Sequence, residues 1–451
     1  MPPLSRARTL GLAILLGLAG CTPSPQTPSI TDAPSIAHPT GTSLFGSQAG
    51  CTPRFENQDG WLGGDVAASI PLPGLEPPSA PRHSVWLFGD SFVARRGGED
   101  ERRYPFVHNT IAISTCDGDG RWSMDFAWTE AGTSTAEPRA FFEPDSAADW
   151  VVRARDAGGG APYYWPLSGV LVGRTLVVAL LRVVPAPAHG AFGLPFRAVG
   201  VDLAQIERPE RPPRQWRIRY SALSSRSDLL PAASLVSDDA FLYAFATLDR
   251  GDDRQPRGLT RIPLDALERS PTDLEPWLEV LDRAGRFRAG IRVDEARVLM
   301  ADDATEMSVH FDPRAGAWLA VYSDPTLDAG ERRDGATRAD AIWLRRAGRL
   351  AGPWSAPQVL GRIPGLAERA DPLPGEPFCY AARVHPELSS RDALLVTYVC
   401  NYFAERPEDM PVVLERLLAT TGIYRPHVLR LVRPADQTWL RSISSRGWGS
   451  R

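Results

Sequence analysis

Apolar and polar residues alternate in short runs along this chain, with the period of two that is typical of β-strands. The runs form five hairpin-like units, each with a first strand, a turn and a more apolar outgoing strand. The first strands are predicted at residues 65–70, 164–169, 232–236, 305–311 and 379–385, and the outgoing strands at 85–88, 175–184, 241–247, 318–322 and 394–398. Successive outgoing strands lie on the order of 65 to 90 residues apart, which suits units of four strands with long loops.

Helical patterns are scarce, and only residues 264–267 and 411–420 are candidates. The 39 glycines and 42 prolines favour short strands joined by turns. We therefore predict an all-β fold, and five repeated units predict a five-bladed β-propeller. The alternative is a β-sandwich with irregular loops, which does not explain why the pattern recurs five times.

The first fifty residues have the pattern of an exported lipoprotein. Arg6 and Arg8 precede an apolar run at residues 10–19, and a small-residue site ends at Cys21. That run is about half the ~20 residues that a membrane span needs, so a signal peptide is favoured over a transmembrane anchor. We predict a signal peptide at residues 1–20, a lipidated Cys21 with a Pro/Ser/Thr-rich tether at 21–50, and a propeller domain at 51–451.

The predicted lipid places the protein in the bacterial cell envelope, where Thr22 after the cysteine favours the outer membrane or the cell surface. The net charge is −4 in 451 residues, lysine is absent and no basic block stands out. Nucleic acid is therefore not an expected partner. We expect a monomer that contacts the membrane only through its N-terminal lipid.

Four cysteines remain after Cys21 is assigned to lipid, an even number that suggests two disulfides in an exported chain. Cys379 begins one predicted strand and Cys400 ends the next, with a turn at residues 389–392 midway between them. We predict a disulfide between these two and, by default, a second between Cys51 and Cys116. No CxxC or Cys/His arrangement indicates zinc.

Two aspartates occupy equivalent positions on the first predicted hairpin. Asp65 opens its first strand after Gly63-Gly64, and Asp90 closes its outgoing strand in the run Trp-Leu-Phe-Gly-Asp-Ser. A hairpin would bring both carboxylates to one rim of the sheet. Glycosidases need one carboxylic acid to protonate the leaving oxygen and one carboxylate to activate water or attack carbon. The competing interpretation is that both aspartates only stabilise turns.

Other candidates would converge on the same mouth of a propeller channel. Glu306 begins a first strand, where it is a candidate third acid or the partner of an arginine. Arg383 and His385 alternate on the fifth first strand, and either sugar binding or core hydrogen bonding would explain them. The remaining candidate substrate contacts are His108, Asn109, Trp165 and Ser168, although a buried tryptophan also serves packing.

Several other chemistries lack their motifs. The sequence has no Gly-x-Ser-x-Gly elbow, no phosphate-binding glycine loop, no HExxH and no cofactor fingerprint. We therefore expect no cofactor and no catalytic metal, and the acidic residues at 302–303 are the candidate position for a structural calcium ion, which their spacing does not require.

Short motifs across most of the chain after Cys51 resemble the bacterial family catalogued as domain of unknown function 4185, which is related to five-bladed propeller glycosidases. The motifs that carry this resemblance lie at residues 63–69, 86–91, 108–110, 164–166, 259–264, 306–309, 352–355 and 380–388. Some members of that family are similar to endo-acting enzymes that cut D-arabinan, a furanose polymer of mycobacterial-type cell walls. Carried over to this chain, the resemblance makes Asp65 and Asp90 the candidate catalytic pair.

Two functions follow as predictions. The first is a surface-tethered glycoside hydrolase that cleaves an arabinan-like or related polysaccharide. The alternative is a non-catalytic glycan-binding propeller, which would keep the aromatic and amide contacts but lack a working acid.

Overall fold

The computed structural model of the chain describes residues 51–432, apart from 57–59, 74–81, 95–105, 130–136, 158–159, 187–195, 252–253, 270–271, 303, 305, 325–340, 364–375, 404–408, 410–411, 414–416 and 418–422. The predicted signal peptide, Cys21 and the tether lie outside the described residues. Within the described residues, no helix has both the length and the apolar character needed to cross a membrane.

The fold is all-β, as predicted, and consists of antiparallel sheets. The first sheet has the order β2-β3-β6-β7, and a small additional sheet has the order β1-β4-β5. The strands of this region are β1 Trp61–Gly64, β2 Ala68–Pro71, β3 Arg82–Phe88, β4 Ser91–Val93, β5 Phe106–Val107, β6 Thr110–Cys116 and β7 Trp122–Ala127.

Four further sheets follow along the chain, each built from consecutive strands. The second sheet contains β8 Tyr163–Val172, β9 Thr175–Pro185, β10 Phe196–Ile206 and β11 Ile218–Ser224. The third contains β12 Leu229–Ser237, β13 Phe241–Leu248, β14 Arg257–Pro263, β15 Glu279–Leu281 and β16 Phe287–Ala289. The fourth contains β17 Met307–Asp312, β18 Ala317–Ser323, β19 Ala341–Ala347 and β20 Gln358–Arg362, and the fifth contains β21 Glu376–Val384, β22 Ala393–Phe403 and β23 His427–Val432.

Helix is limited in the described residues. Helix α1, Asp149–Asp156, was not predicted, and it buries Trp150 and Val151 against the first and second sheets. Helix α2, Ala266–Arg269, overlaps the first predicted helix, whereas most of the second, 411–420, lies outside the described residues. Short 3-10 helices occupy Pro213–Gln215, Glu275–Trp277, Val293–Glu295 and Pro386–Leu388.

The five predicted hairpins are confirmed as antiparallel pairs. They are β2–β3, β8–β9, β12–β13, β17–β18 and β21–β22. Several strand bounds differ by a few residues from those predicted, and the start of the first strand matters most, because β2 begins at Ala68 rather than at Asp65. Val66 and Ala67 have φ angles of 67° and 49°, which cannot belong to an extended strand. Residues 65–67 therefore form a turn between the small sheet and the first sheet.

The hydrophobic core is divided into clusters that lie between successive sheets. Val177 and Leu235 belong to a cluster between the second and third sheets, and other clusters join the first to the second, the third to the fourth and the fourth to the fifth. Trp86 of the first sheet also shares a cluster with Leu395 of the fifth. Each sheet thus buries both of its faces, which explains why the outgoing strands are nearly continuous apolar runs.

Both predicted disulfides are confirmed. Cys379 and Cys400 are register partners in β21 and β22, with their Cα atoms 4.0 Å apart. Cys51 and Cys116 are bonded with a Cα separation of 5.9 Å, which ties the start of the described chain to β6.

Candidate active site

Two turns meet at the end of the first hairpin and carry Asp65 and Asp90. The Asp65 N–H donates to the Asp90 carbonyl at 3.3 Å, and the Gly89 N–H donates to the Asp65 carbonyl at 3.2 Å. The Ala67 N–H also donates to the Asp65 carbonyl, which closes a three-residue turn with Val66 in the left-handed region. Left-handed backbone at a β-branched residue is strained, and such strain clusters at functional sites.

The glycines beside both aspartates are required by close packing. A Cβ atom on Gly89 would lie 2.3 Å from Asp65 Oδ1, and one on Gly63 would lie 2.3 Å from the Tyr424 carbonyl oxygen. Only glycine allows these approaches. The Gly-Gly-Asp and Gly-Asp motifs therefore exist because the two turns and the segment around Tyr424 contact one another.

Asp65 is held by two tyrosine hydroxyls. Tyr380 Oη donates to Asp65 Oδ2 at 2.7 Å, and Tyr424 Oη donates to the same oxygen at 3.0 Å while lying 3.2 Å from the Asp90 carbonyl. Burial raises the pKa of Asp65 well above its usual value, and the charge of Asp90 raises it further. The two hydroxyls oppose this rise without cancelling it, so Asp65 is set to hold a proton.

Asp90 accepts two donors of another kind. Trp165 Nε1 donates to Asp90 Oδ1 at 2.7 Å, and His108 Nδ1 lies 3.2 Å from the same oxygen. Burial raises the pKa of Asp90, while the hydrogen bond and charge of His108 and the bond from Trp165 oppose the rise. The side chain of Asp90 is 21% exposed and that of His108 is 35% exposed, so this side of the pair reaches solvent.

Glu306 lies near the pair and is buried, with 8% exposure. Its negative charge contributes to the raised pKa values of both Asp65 and Tyr380. Burial lowers the pKa of the Arg383 guanidinium to about 10, and the charge of Glu306 opposes that change. Glu306 therefore shares an electrostatic environment with Asp65 and with Arg383.

Two predicted substrate contacts need correction because their polar atoms are used inside the fold. Asn109 is fully buried, and its amide bonds the backbone of Phe142 and Tyr164 through three hydrogen bonds of 2.7 to 3.0 Å. Ser168 is 4% exposed and donates to the Ala232 carbonyl at 2.7 Å, which ties the second sheet to the third. Neither side chain is available to a sugar hydroxyl.

Arg383 and His385 are likewise buried, which favours the core interpretation over sugar binding. Arg383 donates to the carbonyls of Met307 and Leu167 at 2.8 and 2.6 Å, so it links the fifth sheet with the fourth and second. His385 contacts Ser69 Oγ and Thr397 Oγ1 through its two ring nitrogens. Burial and the charge of Arg383 lower the pKa of His385 to about 3, so this histidine is neutral.

Sequence reasoning missed the tyrosines that complete the site. Tyr380 belongs to the motif at residues 380–388, but alternation along β21 does not predict which face of the sheet its side chain lies on. The register shifts between Tyr380 and Arg383, and Ala381 has a φ of 56°, so the period of two is interrupted there. Tyr424 lies 359 residues from Asp65 in the chain, and no local pattern indicates such a contact.

The candidate position for a calcium ion is only partly within the described residues. Asp302 is engaged by Arg345, which donates to both carboxylate oxygens at 2.6 and 3.0 Å, and by the Tyr322 hydroxyl. Its neighbour at position 303 lies outside the described residues. The part of the chain that the structure describes contains no group of three or more His, Cys, Asp or Glu side chains suited to a metal ion.

Comparison with known proteins supports the fold. Residues 52–259 match the model of a family described as a domain of unknown function, DUF5005; the family label 4185 expected from the motifs is not confirmed. A candidate hydrolase from Bacteroides ovatus has a similar structure, with a TM-score of 0.57 and 15% identity over 86% of this chain and 89% of that one. At this identity the likeness concerns the fold.

The α-L-arabinanase of Cellvibrio cellulosa in complex with arabinohexaose is a weaker structural match, with a TM-score of 0.40 and 10% identity over 84% of this chain and 97% of that one. A TM-score this low supports no inference about function. No curated protein matches the chain.

Proposed function

We propose that the protein is a glycoside hydrolase in which Asp65 is the general acid and Asp90 is the carboxylate that activates water or attacks the sugar. One observation, the pairing of the two aspartates, carries the proposal. Backbone hydrogen bonds join their two turns at one end of a hairpin, and the pKa of each carboxyl group is raised. The donors to the carboxylates are tyrosine, tryptophan and histidine side chains.

The two environments divide the roles. Asp65 has the more strongly raised pKa, and it feels the charge of Asp90. Such a pair of carboxyl groups holds one proton near neutral pH, and the proton lies on the group with the higher pKa. Both tyrosine hydroxyls bond Asp65 Oδ2, so the proton is carried on Oδ1. Asp90 stays ionised because two donors bond its Oδ1, which leaves Oδ2 for the reaction.

Hydrolysis then follows the chemistry of paired carboxylates. Asp65 gives its proton to the leaving glycosidic oxygen as the bond to the anomeric carbon breaks. If Asp90 acts as a base, it takes a proton from the water whose oxygen bonds that carbon. If Asp90 acts as a nucleophile, water opens the resulting ester, with Asp65 now accepting the proton. Either course adds one water molecule across the bond.

The scaffold we propose is a five-bladed β-propeller made of the five main sheets. The first strands of successive sheets contact one another, β2 with β8, β8 with β12, β12 with β17 and β17 with β21. Contacts between the fifth and first sheets support closure of this ring. The Ser69 hydroxyl on β2 lies 2.6 Å from His385 and 2.5 Å from Glu387, both of which follow β21.

The proposed substrate is a furanose-containing polysaccharide similar to arabinan, as the motif resemblance implies. The proposed location is the bacterial cell envelope, through lipid on Cys21. Glycan binding without cleavage is the competing function, since the aromatic residues around Asp90 would serve both.

Cleavage tests the proposal directly. The full chain is incubated with D-arabinan, L-arabinan and xylan, and new reducing ends are measured. We expect cleavage of an arabinan, and we expect the Asp65→Asn and Asp90→Asn variants to bind it without cleaving it. A Glu306→Gln variant that loses as much activity as these would place Glu306 in the catalytic pair. Binding by the wild type without cleavage would contradict the hydrolase proposal.

A further inference from the structure

Five aromatic rings form a continuous row beside Asp90. Neighbouring centroids are 5.4 Å apart between Phe106 and His108, 3.4 Å between His108 and Tyr163, 5.6 Å between Tyr163 and Trp165, and 4.6 Å between Trp165 and Phe196. We call these five residues the aromatic row. They come from β5, the residue after it, β8 and β10, so separate strands assemble the row.

The aromatic row is tied directly to the proposed catalytic pair. His108 and Trp165, the second and fourth members, both bond Asp90 Oδ1. Tyr163 lies between them and stacks on His108 with an interplanar angle of 7°. Burial raises the pKa of the Tyr163 hydroxyl, and the charge of Asp90 raises it further. A molecule bound on the row would therefore lie beside the Asp90 carboxylate.

The row is accessible. Phe106 is 46% exposed, His108 is 35% exposed in its side chain, and Tyr163, Trp165 and Phe196 are partly exposed. Along β8, Tyr163 and Trp165 alternate with Tyr164, which is 2% exposed and donates to Asp202. The period of two along β8 thus sends one aromatic ring into the core and two to the site.

The opposite side of the pair has a different character. Asp65 is covered by Tyr380 and Tyr424, and both are held by the hydrogen bonds they make to it. Burial raises the pKa values of both hydroxyls, so they remain neutral donors. The rings beside Asp65 are thus occupied by hydrogen bonds to that carboxylate, and Tyr424 is only 5% exposed, whereas the row beside Asp90 includes Phe106, which is 46% exposed.

From this asymmetry we propose that the aromatic row is a sugar-binding subsite, in which Tyr163, Trp165 and Phe196 contact the apolar C–H face of a sugar ring of the substrate glycan. The inference rests on the proposed function and deepens it. Aromatic rings with a few polar groups beside them are the usual lining of small-molecule sites. The glycan would extend from the catalytic pair across the end of the second sheet, with Phe106 at the exposed end of the row.

Glycan affinity tests the subsite separately from cleavage. Calorimetry measures the binding of six-residue arabinan oligosaccharides to the full-length Asp65→Asn chain. One oligosaccharide is prepared from D-arabinan and the other from L-arabinan. Phe196→Leu and Tyr163→Leu, added to this background, keep apolar volume but remove the ring. Each is expected to weaken binding about fivefold to tenfold. Phe241→Leu is the matched control, because Phe241 is a partly buried ring at the start of β13 and lies outside the row.

The outcomes separate the two proposals. Equal affinities in Phe196→Leu, Tyr163→Leu and the control would overturn the subsite, even if the wild type cleaves arabinan. If the two row variants lose affinity but the wild type cleaves no glycan, the subsite proposal is supported and the hydrolase proposal is contradicted. If a row variant unfolds, Phe106→Ala replaces it, because that side chain is nearly half exposed. A twofold or smaller change in Phe106→Ala would then count against the row.

Discussion

Two side-chain clusters in this protein place aromatic donors on aspartates, with opposite consequences for the carboxylates. At the first, Arg182 donates to Asp202 Oδ1 at 2.5 Å, and the Tyr164 hydroxyl donates to the other oxygen. The side chains of Arg182 and Asp202 are 7% and 6% exposed, and the guanidinium lies 5.5 Å from the centre of the Trp150 ring. At the second, Asp65 and Asp90 accept donors that are all tyrosine, tryptophan or histidine.

The two clusters differ in whether an arginine pairs with the carboxylate. Asp202 has an arginine as a direct partner, so its negative charge is neutralised where it is buried. Within the described part of the chain, no arginine pairs with Asp65 or Asp90, and each carboxylate is instead close to another acid. Burial raises the pKa values of both carboxyl groups, and the charge of Asp90 raises that of Asp65 further. An acid paired with a buried arginine is required as its countercharge, whereas an acid beside another acid is prepared for proton transfer.

The largest expected effect is on activity. We predict that Asp65→Asn lowers kcat by at least about 10³-fold, because an amide has no acid proton to give. The urea midpoint of this variant should stay equal to that of the wild type or rise at neutral pH. Steady-state kinetics and urea unfolding on the same preparation provide the measurement.

The stability side of this prediction has a defined sign. Because folding raises the pKa of Asp65, the folded state binds more protons than the unfolded state between the two pKa values. The stabilisation present at low pH is therefore lost as pH rises from the unfolded pKa through the folded one. Asp65→Asn should flatten this decline. If Asp65→Asn is less stable than the wild type at every pH, the ionised Asp65 carboxylate is stabilised by its neighbours and this prediction is wrong.

The same substitution in the other cluster should act on stability instead. Asp202→Asn leaves Arg182 buried without its countercharge, and removing one partner of such a pair costs about 3 kcal/mol or more. We expect a lower urea midpoint and an unchanged kcat per folded molecule. If Asp202→Asn were to lose activity without losing stability, the distinction between the two clusters would fail.

Intermediate effects are expected from the two tyrosines on Asp65. Each hydroxyl opposes the rise of the Asp65 pKa, so Tyr380→Phe and Tyr424→Phe should raise that pKa further. The alkaline limb of the pH–rate profile, where Asp65 must remain protonated, should move to higher pH in each variant. A several-fold drop in kcat at the optimum would accompany the shift, because each lost bond is worth about 1 kcal/mol. A purely structural role would leave the limb where it is.

The smallest effect is expected from a matched pair of tryptophans. Trp165→Phe keeps a ring in place but removes the indole donor to Asp90, so the pKa of Asp90 should rise. The acidic limb, where Asp90 must be ionised, should then move to higher pH. Trp216→Phe is the control, because its indole donates to the Arg211 carbonyl instead. Equal profiles for both variants would separate Trp165 from the titration of Asp90.

The local sequence was sufficient for the hairpins and the disulfides. Alternation and turn residues located β9 and β18 within one or two residues, because the apolar faces on which those strands pack are encoded locally. The mirrored positions of Cys379 and Cys400 about a turn gave their pairing, since antiparallel register follows from turn geometry. Antiparallel register also predicted that Asp65 and Asp90 lie at the same end of the first hairpin.

Long-range packing decided the rest. Nothing near Asn109 or His385 in the sequence shows that their polar atoms are used inside the fold, because their partners come from other segments. Tyr424 reaches Asp65 from the segment just before β23, across 359 residues. The sequence by itself therefore determined which residues could supply acid chemistry and where the strands run. Only the tertiary structure decided which acids are without an arginine partner and which rings face them, because desolvation and charge depend on neighbours brought together by folding.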